Sequence, residues 1–199
     1  MNSRDLHFWI TSLIRGLLAL AIGSGTIVIP DLAATLLFLP FAIIISILCL
    51  SVYGILDSAL VFISSFMLPS RTEAFALRVQ GILGVAFGVA LLYVVYDKVH
   101  LHWFLYMIAA QAAFTAIAEC IIARHAHTRG ASIWSYTASA TALIFAIAYA
   151  SIAVTAETER EPREIAWLIF GYLLSFGLAQ CITAARELFS KQNTASASV

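Results

Sequence analysis

The chain has 199 residues, with 11 basic and 11 acidic side chains and a formal net charge of zero. Hydrophobic residues make up 62% of it and charged residues 11%, and the mean hydropathy is +0.95. A soluble domain is nearer about half apolar and about a quarter charged, so this composition excludes a water-soluble globule, and the absence of a basic excess excludes a nucleic-acid binder.

The lipid bilayer is the partner such a chain requires. A helix crossing a hydrocarbon core of ~30 Å needs ~20 mostly apolar residues. Six such runs follow one another, at 8–29, 36–67, 73–96, 101–122, 133–155 and 165–188. The first is too long for a signal-peptide core, is interrupted by Arg15 and is followed by no A-x-A site, so it is expected to stay as a helix. No lipidation or sorting motif is read at either end. The second is long, and Pro40 near its start should end or kink it there. Turn and charge clusters separate the runs: Pro30-Asp31, LPSRTE, YDKVHLH, ARHAHTRG and ETEREPRE. The expected fold is all-α, a single six-helix transmembrane domain over 1–190, with a disordered polar tail over 191–199.

Lys and Arg counts predict orientation. With the N-terminus in the cytoplasm, the inner set is Arg4, Arg15, Arg71, Arg78, Arg124, Arg129, Arg186 and Lys191, against Lys98, Arg160 and Arg163 outside. Both termini are therefore expected to be cytoplasmic. Trp9, Trp103, Trp134 and Trp167 each fall at the start of a predicted helix, two at each face, as an aromatic belt would place them.

The even-numbered spans echo one another. The second reads YGILDSALVFIS, the fourth AAFTAIAECIIAR and the sixth SFGLAQCITAAR. Asp57, Glu119 and Gln180 fall in register, 62 and 61 residues apart. In the odd spans RGLLALAIG matches QGILGVAFG, and TALIFAIAYA is a degenerate third copy. A fixed period means one supersecondary unit used repeatedly. The unit predicted here is a helical hairpin, present at about 5–68, 71–126 and 131–190. Hairpins of one orientation place Asp57, Glu119 and Gln180 at a single depth in the cytoplasmic third, and Arg15 enters from the same side.

In these same stretches the chain resembles a known family, the six-helix acid-resistance membrane proteins typified by HdeD. The phrases that carry the resemblance are FWITSLIRGLLALAIG followed by Pro30, YGILDSALVF, QGILGVAFGVALL and WFLYMIAAQAAFTAIAECIIARH. The likeness covers nearly the whole chain and is weakest over 133–163. Gln80 stands where that family often has glutamate, Gln111 where it often has tryptophan, and no proline follows the third span. The resemblance implies a bacterial inner-membrane protein linked to acid stress, with no established enzymatic reaction.

Charged groups inside a bilayer cost about 2.5–3.5 kcal/mol on insertion scales, so they are paired, wetted or functional. Arg15, Asp57, Glu119 and Gln180 are therefore read as a buried polar layer, an internal ion pair that fixes helix register. The alternatives are a conducting path or a ligand or proton site, and snorkelling to the interface. Gly16, Gly23, Gly25, Gly81, Gly84, Gly88, Gly171 and Gly177 are read as close-packing positions between helices, with a homo-oligomer face as the alternative. His100 and His102 are candidate pH sensors outside, since histidine titrates near pH ~6.5. Two H-x-H pairs, the second being His125 and His127, are too few ligands for a metal. No span core carries a histidine for haem, so no metal or cofactor is expected. The acidic turn ETEREPRE is a second candidate for a response to pH. Cys49, Cys120 and Cys181 are scattered through apolar runs and read as small fillers. No GxSxG, HExxH or P-loop is present. The function expected is non-enzymatic, in acid or envelope stress protection. The alternative is a small transporter or channel using Arg15, Asp57 and Glu119, and a third reading is an intramembrane enzyme or its accessory subunit.

Overall fold

The computed structural model describes the backbone over residues 3–36, 39–68, 71–96, 101–124, 129–155 and 162–196, and most side chains within them. Every described element is helical: α1 (Ser3–Leu36), α2 (Leu39–Ser64) extended by a 3₁₀ turn (Ser65–Met67), α3 (Arg71–Tyr96), α4 (Leu101–Arg124), α5 (Arg129–Thr155) and α6 (Pro162–Ser196). All six α-helices are long and apolar enough to cross a membrane, with spans from Trp9–Val28 to Glu164–Ser190. The chain is a multi-pass membrane protein by length and composition.

Three helix ends differ from expectation or sharpen it. Helix α1 does not stop before Pro30 but continues to Leu36, so the Pro30-Asp31 turn lies inside a helix. Proline removes one N–H from the ladder, and membrane helices tolerate this because neighbours and side chains re-satisfy the freed carbonyl. Helix α2 begins at Leu39, which puts Pro40 in its first turn, where a missing N–H costs nothing. Helix α6 runs to Ser196, into the segment 191–199 expected to be disordered. No glycine or proline interrupts 187–196, and Lys, Gln and Ala all favour a helix. The ETEREPRE turn up to Glu161, His100 and the pair His125 and His127 lie outside the described residues. So does the side chain of His102.

The helices form a closed ring in chain order, each packing on the next and α1 packing on α6. Three seams are the more extensive, α1–α6, α2–α3 and α4–α5, and they alternate with slighter ones. Small residues explain the close seams. A Cβ on Gly16 would lie 2.7 Å from Cys181 Sγ and 2.9 Å from the Gly177 carbonyl, and one on Gly177 would lie 2.9 Å from the Gly16 carbonyl. At α2–α3, a Cβ on Gly81 would meet the Ser58 carbonyl and Phe62, one on Gly84 the Ser58 hydroxyl, and one on Gly88 Ile55. At α4–α5 the small face is alanine-rich, with Ala131, Ala138, Ala142 and Ala146 buried on α5. There Ser132 and Ser139 donate to the Ala123 and Ala116 carbonyls at 2.9 and 2.7 Å. Lipid offers no hydrophobic drive between helices, so backbones that approach this closely gain dispersion contacts instead.

The surface is apolar, and a layer of polar and charged side chains lies within an interior that is otherwise apolar. Phe75, Ile82, Ile144, Ile147 and Val154 are each at least 60% exposed. Arg15, Asp57, Glu119, Gln180 and Glu187 are each at most 2% exposed. An apolar surface with its ionisable groups enclosed is what a hydrocarbon solvent selects.

Candidate functional site

The buried face of α1 is Ser12, Arg15, Gly16, Ala19, Gly23 and Thr26. That spacing is helical, and Arg15 is its one long side chain. Small residues around it let α6 come close while the guanidinium extends across the bundle. Arg15 Nε donates to Asp57 Oδ1 at 2.7 Å and Nη2 donates to Asp57 Oδ2 at 3.3 Å. Nη1 donates to Glu119 Oε1. One guanidinium thus joins α1, α2 and α4 at a single point. Its fork geometry suits a carboxylate in a way that a lysine ammonium would not.

Aromatic and hydroxyl groups close the layer. The guanidinium carbon lies 5.6 Å from the centre of the Phe176 ring on α6, a cation–π distance. Gln180, one turn further along α6, lies beside Glu119. Tyr172 reaches Thr115, one turn before Glu119 on α4. Tyr53, one turn before Asp57, is 4% exposed. Three buried atoms of this neighbourhood have no hydrogen-bond partner: Tyr53 Oη, Glu119 Oε2 and Gln180 Nε2.

The structure therefore brings Arg15, Asp57 and Glu119 into direct contact, with Gln180 at their side. Gln80, which occupies the register of Arg15 in the second sequence copy, is 8% exposed, and its Oε1 has no partner. Gln111 packs over Gly54, where the missing side chain leaves room for its amide. Three contributors were missed from sequence: Thr115, Tyr172 and Phe176. A signal for two of them exists. Tyr53, Thr115 and Phe176 each stand four residues before the register position of their own copy, at Asp57, Glu119 and Gln180. Glu187, buried at 2%, gave no signal of that kind.

The site offers one cation, two carboxyl groups, an amide and two phenols, all held away from solvent. Such a set can lock helices together, hold a proton or bind a very small polar solute. Comparison with known families, with characterised proteins and with solved structures returns no match to this chain.

Proposed function

We propose that the protein is a non-enzymatic component of the bacterial inner membrane, serving acid or envelope stress protection, and that its Arg15 layer is an internal lock. The observation that carries the lock is the Arg15 fork on Asp57 with the further bond to Glu119, all at most 2% exposed. Charges that satisfy one another out of contact with water set the register of α1, α2 and α4. The resemblance to the HdeD-typified family supports the setting in acid stress. Matched contacts support a threefold hairpin repeat: Gly16 meets Cys181 as Gly81 meets Ser58, and Cys181 and Ser58 follow the register positions Gln180 and Asp57. In this reading both termini face the cytoplasm.

The second reading is a small transporter whose path runs through the same side chains. The unpartnered Glu119 Oε2 and Tyr53 Oη favour it, because polar atoms without partners can meet a passing solute. Asp57→Asn in proteoliposomes separates the two. A lock predicts a lowered melting temperature with no flux to lose. A transporter predicts an unchanged melting temperature and the disappearance of a measurable flux, of protons first of all. Loss of acid survival in a strain carrying Arg15→Leu tests the physiological setting, and wild-type survival would refute it.

A further inference from the structure

One positive and two negative side chains meet in the layer. Arg15 is the only cation among the buried described residues. With both carboxyls ionised, the layer would keep one negative charge uncompensated and out of contact with water, which is expensive. The hydrogen bonds divide unevenly. Asp57 takes both arms of the guanidinium fork, whereas Glu119 takes one nitrogen on Oε1 and leaves Oε2 without a partner. We propose that the layer is a binding site for one proton, carried on the Glu119 carboxyl, and that Gln180 is the side chain that accommodates it.

Gln180 suits that task. It lies beside Glu119, is 1% exposed, and has an Nε2 with no partner. A carboxamide offers donors on one edge and an acceptor on the other. Turned one way it donates to a carboxylate; turned the other, its oxygen accepts from the carboxyl O–H. By turning, a glutamine can partner Glu119 with or without the proton, which neither an apolar residue nor a third charge at this register could do. The proton comes from hydronium in the aqueous phase: one of its O–H bonds breaks to leave water, and the O–H at Oε2 forms.

The other groups facing Glu119 do not change the charge count. Helix α1 brings Arg15, α2 brings Tyr53 and Asp57, α4 itself brings Thr115, and α6 brings Tyr172 and Gln180. Helix α5 meets α4 through the hydroxyls of Ser132 and Ser139, with Ser135 also buried. On helix α3 the buried polar side chain among the described residues is the uncharged Gln80. Glu187, the other buried acid on α6, lies about two turns beyond Gln180.

This inference rests on reading the layer as a lock, and the test keeps the two apart. Infrared spectra of the full-length protein in lipid at neutral pH should show a protonated-carboxyl band. That band should shift on isotope labelling of glutamate, vanish in Glu119→Gln and survive in Glu187→Gln. Glu119→Gln should melt with the wild type, since it keeps the shape and removes the surplus charge. The wild-type melting temperature should fall as the pH rises and strips the proton, a slope that Glu119→Gln lacks. No band, or a band that survives Glu119→Gln, overturns the proposal. So does a Glu119→Gln variant that melts as low as Asp57→Asn, because Glu119 would then be an ionised partner of Arg15. Wild-type melting that depends on sodium at constant ionic strength assigns the site to a metal cation and overturns it too. An intact band together with an unaltered Asp57→Asn melting temperature upholds the proton and removes only the lock.

Discussion

An arginine within a bilayer is tolerable only when its donors find acceptors, and Arg15 places three nitrogens on two carboxyl groups under the Phe176 ring. Removing the cation should therefore cost more than removing the whole group. Arg15→Leu leaves Asp57 and Glu119 facing each other and should lower stability by about 3–5 kcal/mol. Replacing Arg15, Asp57 and Glu119 together by Met, Leu and Leu should recover most of that loss, because no buried charge then lacks a partner. Chemical or thermal unfolding in detergent measures both, and a triple variant weaker than Arg15→Leu would show that the layer contributes more than charge balance. The register positions Asp57, Glu119 and Gln180 were legible in the sequence because the apolar text around them repeats. The fork was not legible, since spacing says nothing about which carboxylate an arginine chooses. Arg15 was read into the layer and Gln80 was not, although the two occupy matching places, and the buried Oε1 of Gln80 has no hydrogen-bond partner.

At the scale of helices, the seams divide into those that cannot take a methyl group and those that can. At Gly16 the obstacles are backbone atoms of Gly177 and Cys181, which cannot step aside, and Gly16→Ala should cost about 1–3 kcal/mol through overpacking. At Gly171 a Cβ would meet only the tip of the Phe145 ring at 3.6 Å, an ordinary contact. Gly171→Ala should be neutral, or stabilising by up to about 1 kcal/mol through helix propensity. Equal effects at the two positions, measured by unfolding, would contradict this account of the seams. Hydropathy located all six helices because it senses the solvent around each span. It misplaced the end of α1, because proline reads as a turn in water while a membrane helix carries it through. It also ended α6 too early, because Asn, Thr and Ser at 193–196 look like loop composition when no neighbouring turn is considered.

For the whole molecule, hydropathy counts spans without saying which are neighbours, so the closing of the ring by α1 on α6 was not legible. The repeat hinted at pairs within hairpins, yet the more extensive seams join one proposed hairpin to the next. The proposed orientation has a direct check. Single cysteines placed at 127 and 159 should label from opposite faces of the membrane, with the face of 127 shared by both termini. The same closure bears on how the protein is made. Arg15 enters the bilayer first, while its partners lie 42 and 104 residues behind it in the chain. The tight partner of α1 is α6, which leaves the ribosome after the other five described helices. During synthesis the Gly16–Gly23 face therefore stands open, and a chain halted after Thr155 has nothing to cover it. Such a product should be recognised and degraded by membrane quality control, and supplying α6 as a separate fragment should rescue it.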